Sequence, residues 1–280
     1  MILHCGGQHA TFEDVALVEV PPATTTYRPV PHADLIRLLE DRVTKETGLI
    51  KPNKAFGLNK EGKQLFGTLT YDMGTTEGPV VDLSAFNNGL DIEQARSNYG
   101  FSIGFRNSYD KSMSLGIAVG ATVFVCDNLA LHGSWLTIMR KHTQNVWDDV
   151  VPMAMTRIAS SVGGWVEMVR FMEGMKQRSV TTDEGYRHIG LGLGRGVLTA
   201  NGAGVALKEW RHMARREEHP FHDHANTSFG LYQSFTEGLK LGRVTRKIDQ
   251  YTGTSALFEE AQLVEPMTQE LPKTSSPRRA

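Results

Sequence analysis

Two cysteines, Cys5 and Cys126, are all that the 280 residues contain. They are far apart and have no thiol neighbour, which argues against a disulfide scaffold and a CxxC zinc site and fits a reducing cytoplasm. Long apolar runs are missing as well. No stretch approaches the roughly eighteen residues that a membrane-crossing helix needs, and MILHCGGQHATFEDVA has neither the basic start nor the apolar run of a secretion signal, so no membrane partner is expected. Charge of one sign is not in excess either, with 30 Lys/Arg against 31 Asp/Glu. The balance is uneven: residues 1–135 hold 11 Lys/Arg against 15 Asp/Glu, and residues 136–280 hold 19 against 16. A mild basic bias in the second half is compatible with a nucleic-acid partner. No internal repeat is present.

What is present, above all, is alternation. From Tyr99 to Asn128 large apolar side chains fall on odd numbers: Tyr99, Phe101, Ile103, Phe105, Met113, Leu115, Ile117, Val119, Val123 and Val125. The even positions are almost all small: Gly100, Ser102, Gly104, Ser112, Ser114, Gly116, Ala118 and Gly120. Period two describes two strands with one greasy and one bare face, and something must lie close against the bare face.

Upstream, Val15–Val20 reads as a strand before Pro21 and Pro22. Leu35, Leu38, Leu39 and Val43 fall at helical spacing, with Gly48 as the C-cap. Lys54–Leu58 and Gln64–Asp72 read as a hairpin turning at residues 59–62, and Val80–Leu83 as a further short strand. After about Trp135 the pattern turns helical. One long helix spans Val146 to about Met175, with Val151, Ala154, Ile158, Val162, Trp165, Val169 and Met172 as its buried stripe. A Thr181/Glu184 capping box opens a second helix to about Leu198, Leu207–Arg216 belongs to a third, and TSFGLYQSFTEGLK forms a fourth. Beyond Tyr251 the periodicity fades. The expected organisation is one α+β domain over residues 1–262, with an antiparallel sheet in 50–128 covered by helices in 146–250, and a disordered basic tail at 263–280.

Chemistry candidates each have a plain structural counterpart. EEHPFHDH brings Glu217, Glu218, His219, His222, Asp223 and His224 within eight residues, and imidazole with carboxylate suits a divalent metal. Pro220 excludes the helical HExxH geometry, which leaves a polar loop as the other reading. Gly190, Gly192, Gly194 and Gly196 lack the GxGxxG register, so they read as a helix surface packed closely against a neighbour, namely the bare sheet face. Residues 106–111 and 126–128 gather polar groups at strand ends. There Arg106 and Lys111 suit phosphate, while Asp110 and Asp127 suit a cation or simply make turns. Cys126 continues an apolar strand and reads as inert. Further basic groups recur at Arg140, Lys141, Arg211, Arg215, Arg216, Arg243, Arg246 and Lys247, which would track phosphate if they converge. Single-strand binders add exposed aromatic platforms, and the sheet aromatics here lie on the core-like face. The tail residues Ser276, Pro277, Arg278 and Arg279 are of the Ser-Pro-basic type that enters minor grooves.

At RNSYDKSMSLGIAVGATVFVCDNLALHG, followed by RKHT and later TSFGLYQSFTE, the chain resembles the phage/plasmid-like family catalogued as domain of unknown function 932. The match spans roughly Phe56 to Lys240. The resemblance implies a mobile-element origin and a bacterial host cytoplasm, and supplies no catalytic mechanism. HPFHDH is not among the family's hallmarks. The expectation is a non-enzymatic phage or plasmid DNA-metabolism protein that binds nucleic acid, single strands in recombination or replication, with no cofactor and with homo-oligomerisation open. The alternatives are a metal-dependent hydrolase using the 217–224 cluster and a divalent metal, and an interaction protein that blocks a host defence complex.

Overall fold

The computed structural model describes residues 8–74, 90–123, 128–130, 137–142, 146–241 and 247–260. The strand expected at Val80–Leu83, Cys126, Asp127 and the tail lie outside them.

Among the described residues the sheet is an antiparallel meander of seven strands: β1 (Gln8–Ala10), β2 (Asn53–Asn59), β3 (Gln64–Tyr71), β4 (Tyr99–Ser108), β5 (Leu115–Val123), β6 (Asn128–Ala130) and β7 (Thr137–Arg140). Strands β1 to β5 pair in chain order, and β6 and β7 follow one another along the outer edge of β5. The β2–β3 turn runs through Lys60, Glu61 and Gly62 at φ 50°, 57° and 85°. Such a left-handed path suits glycine and strains the other two residues. Gly67 stands opposite Phe105, whose ring fills the space above it; a Cβ there would come 2.2 Å from the ring. That contact fixes register, because a slip by one residue would drive the ring into a side chain.

Both faces of the alternating strands are buried, as their bare and greasy patterns imply. Tyr99, Phe101, Ile103, Leu115 and Ile117 are all but inaccessible. Asp249 of the helical half acts on Arg106 from the small-residue side, and the greasy face receives helices. Helix α2 (His32–Thr47) and the 32-residue α4 (Val146–Gln177) pack there. Tyr99 Oη donates to Glu173 Oε1 of α4 at 2.7 Å, and the Lys176 ammonium stands 5.4 Å from the same ring. Opposite, Thr68, Thr70, Ser102 and Arg106 are buried on the small-residue face, where the Thr70 and Ser102 hydroxyls meet at 2.9 Å.

Helix α2 ends on Gly48 at φ 74°, as its sequence requires. In α4, Ile158, Trp165, Val169 and Met172 of the expected stripe are buried, while the side chains of Val151, Ala154 and Val162 fall outside the described residues. A short helix α3 (Ile92–Asn98) with an Asp91 cap leads into β4. Helices α5 (Thr182–Gly194), α6 (Ala200–Met213) and α7 (Ser228–Leu239) all start on threonine caps, with the complete Thr181/Glu184 box at α5. Helix α5 stops at Gly194 rather than Leu198 because Gly196 turns left-handed at φ 69°. The close packing expected of the glycines at 190–196 against the sheet is not found: a Cβ at Gly190 or Gly194 would meet nothing within 4 Å. Gly192 instead accommodates Phe235 of α7.

Two segments depart from the sequence reading. The strand expected at Val15–Val20 is displaced by α1 (Phe12–Ala16), for which Thr11 and Asp14 form a reciprocal capping box. The fading pattern after Tyr251 conceals α8 (Lys247–Glu260). Its Phe258 is fully buried against Tyr232 and Phe235 of α7.

Candidate nucleic-acid interface

The hairpin end of the sheet gathers a buried polar cluster. Asn107 donates its amide hydrogens to Val30 O at 2.7 Å and to His32 Nδ1 at 2.8 Å, and its oxygen accepts from His142 Nε2 at 2.7 Å. His32 Nε2 donates to Gly62 O at 3.0 Å, its ring stacks on Tyr109 at 3.8 Å, and its backbone N–H donates to Tyr109 Oη at 2.8 Å. The partners fix His32 as a neutral Nε2–H imidazole, because Gly62 O can only accept and an amide N–H can only donate. Burial lowers its pKa to about 4 against the pull of the Gly62 carbonyl, and burial also lowers that of His142. The Tyr109 hydroxyl is pushed up to about 12, again by burial first.

Asp110 lies in the β4–β5 turn. Burial works against its charge, yet Lys60 Nζ at 2.8 Å and the Ser112 hydroxyl and N–H outweigh that and hold its carboxyl down to about 2. Its role is to bind the two hairpin turns to each other. Beside it opens a cavity of about 630 Å³ bordered by Asp14, Leu17, Glu19, Glu61, Lys63 and Tyr109. Its carboxylates outnumber its ammonium, which suits it poorly to phosphate.

The basic candidates separate. Arg106 is buried at 8% exposure on the small-residue face, where desolvation lowers its pKa against the field of Asp249, so it is an interior group rather than a phosphate contact. Lys111 is exposed in the hairpin turn, with its ammonium 4.5 Å from the Tyr27 ring, and Lys141 is exposed after β7. Arg211 on α6 and Arg215 and Arg216 in the turn behind it are exposed on the helical half, away from the sheet turns. The side chains of Arg140 and Lys247, and all of Arg243 and Arg246, fall outside the described residues.

The histidine cluster does not converge. His219 donates from Nε2 to Glu209 at 2.8 Å and accepts the Phe221 N–H at Nδ1. His222 Nδ1 donates to Met213 O at 3.1 Å, and His224 lies edge-on to Phe229. Among the described residues no three His, Cys, Asp or Glu side chains are placed to hold a metal ion. The alternative of a divalent metal on His219, His222 and His224 thus gains no support from these positions, where each imidazole serves the turn between α6 and α7.

Around the sheet turns Arg28, Lys60, Lys63, Lys111 and Lys141 are exposed, and accessible positive charge is present on α5 and α6 as well. These helices form a hairpin in which the Trp210 ring lies against Gly185 and leaves no space for a Cβ. On the outer side of α6, Asn201, Gly204, Lys208 and Arg211 succeed one another at three- and four-residue spacing, all exposed. Arg187 of α5 is exposed nearby in sequence to Tyr186, a ring 40% exposed over which Arg211 holds its guanidinium at 5.8 Å. Lys208, Arg187 and Tyr186 were not singled out from sequence. The spacing of Lys208 and Arg211 was there to be found, whereas the exposure of Tyr186 depends on how α5 meets α6.

Fold and site together define an α+β protein whose antiparallel meander is backed by helices and whose helical half presents a basic, partly aromatic face. The chain belongs to the family described as domain of unknown function 932 (DUF932), whose family model matches residues 23–261. No curated protein and no solved structure matches it. No helix among the described residues is long and apolar enough to cross a membrane.

Proposed function

We propose that the protein binds nucleic acid through the outer face of the α5–α6 hairpin, as a non-enzymatic phage- or plasmid-type DNA-metabolism protein acting on single strands in recombination or replication. The observation that carries this reading is the row Lys208, Arg211 and Arg215, exposed together where α6 meets solvent. Glu209, the acid inside that row, is engaged by His219. Phosphate contacts of this kind supply sequence-independent affinity that falls with salt. A bacterial host-cell location belongs to the same proposal, and homo-oligomerisation is compatible with it. A metal-dependent hydrolase built on residues 217–224 has no comparable support, since its imidazoles are spent on separate partners.

The test is a gel shift with single- and double-stranded DNA at low and moderate salt. Salt-sensitive binding is expected. The Lys208→Ala/Arg215→Ala variant should weaken it across all sequences and reduce the magnitude of the slope of log K against log salt by about 1.4 on single strands. Absence of salt-sensitive binding to either substrate would sink the reading.

A further inference from the structure

Among the described residues Tyr186 is the one aromatic that stands with the exposed large apolar side chains, and its setting is that of a fixed platform. Trp210 meets it edge to face, with ring centres 6.2 Å apart and planes at 87°. Trp210 is itself immobilised: its ring occupies the notch at Gly185, and its indole N–H donates to Ala225 O at 3.0 Å. The tyrosine ring thus rests on a buried support while 40% of the residue stays open. A guanidinium, that of Arg211, is held above it. One turn further along α5, Gly190 leaves open space beside the ring, and Leu193 one turn beyond is 45% exposed.

We propose that Tyr186, with Arg211, is a stacking platform for an unpaired base, and that the α5–α6 face therefore selects single-stranded over duplex nucleic acid. The inference rests on the nucleic-acid reading above and names its substrate. A flat π surface flanked by cations accepts any base, and bases become available to it only when they are unpaired. The open space at Gly190 and the apolar Leu193 continue the platform along the direction a strand would follow. Positive charge at Arg187, Lys208 and Arg211 matches the strand's phosphates.

Three variants of the full chain decide the matter, measured with a single-stranded oligonucleotide carrying 2-aminopurine and with a duplex of the same sequence. Wild type and Tyr186→Phe are expected to bind the single strand equally and to quench the 2-aminopurine fluorescence. Tyr186→Leu, which keeps apolar bulk against Trp210 but has no π face, should bind it roughly tenfold more weakly without quenching. Its salt slope should match wild type, because no charge is lost, whereas Lys208→Ala/Arg215→Ala lowers the slope. If Tyr186→Leu binds and quenches as wild type does, or weakens single strand and duplex alike, the platform is overturned while the basic face stands. If wild type binds neither substrate, both fall.

Discussion

The amide of Asn107 leaves its two imidazole neighbours little choice of protonation state. It spends both hydrogens on His32 and Val30 and its oxygen on His142, so a proton added to His32 Nδ1 would face an N–H. In the folded chain His32 titrates near about 4 instead of its ordinary 6.5. Between those values the unfolded chain takes up a proton that the folded chain refuses. Stability is therefore complete above about pH 6.5 and is lost as pH falls toward 4, by up to about 3 kcal/mol from this group. His142 shifts in the same direction. Urea denaturation at pH 7.5, 5.5 and 4.5 should show this fall in wild type and a shallower one in His32→Gln; an unchanged acid slope in the variant would assign the effect elsewhere. This cluster was only half legible in the sequence. Residues 106–111 were marked as a polar strand end, but the partners of Asn107 come from positions 30, 32 and 142, and no local spacing reveals such a meeting.

Helices were legible where their burial is apolar and periodic, and were lost where it is not. The stripe of α4 and the capping box of α5 are local signals, and both are realised. Helix α8 buries Gln250, Thr254 and Ser255 beside Leu257 and Phe258, so its inner face looks polar in sequence. At α1 the β-branched Val15, Val18 and Val20 suggested a strand, yet the Thr11/Asp14 box decides the local conformation. Glycines behave oppositely on neighbouring helices. Gly238 of α7 faces Gly202 of α6 backbone to backbone, and a Cβ there would stand 2.4 Å from the Gly202 carbonyl oxygen. Gly238→Ala should thus destabilise by about 2 kcal/mol, although alanine is the better helix former by about 1 kcal/mol. Gly190→Ala, in open space, should stabilise by about 0.5 to 1 kcal/mol. Denaturation midpoints of the pair measure the two signs, and a stabilised Gly238→Ala would refute the close approach.

At the scale of the molecule, α4 joins the two halves: it lies on the greasy face of the sheet and packs against α7, which is buried almost all round. From the sequence the helices are expected on the bare face, with the glycines at 190–196 close against it. That close approach is not found, because whether a small-residue helix meets a small-residue sheet depends on elements far apart along the chain. Helix α8 completes the helical half. Phe258→Ala, which empties the space between Tyr232 and Phe235, should cost about 3 to 5 kcal/mol in chemical denaturation; a loss below 1 kcal/mol would show that α8 is peripheral. The borders of the meander carry a different consequence. Among the described residues one border is β1, three residues long, beside which Lys54 of β2 extends toward Glu40. The other is divided between β6 and β7, of three and four residues. An incoming strand needs a long, flat row of unpaired backbone donors and acceptors, and short, interrupted, lysine-bearing edges provide little template for one. Fibril growth and peptide annexation by strand addition are thereby discouraged.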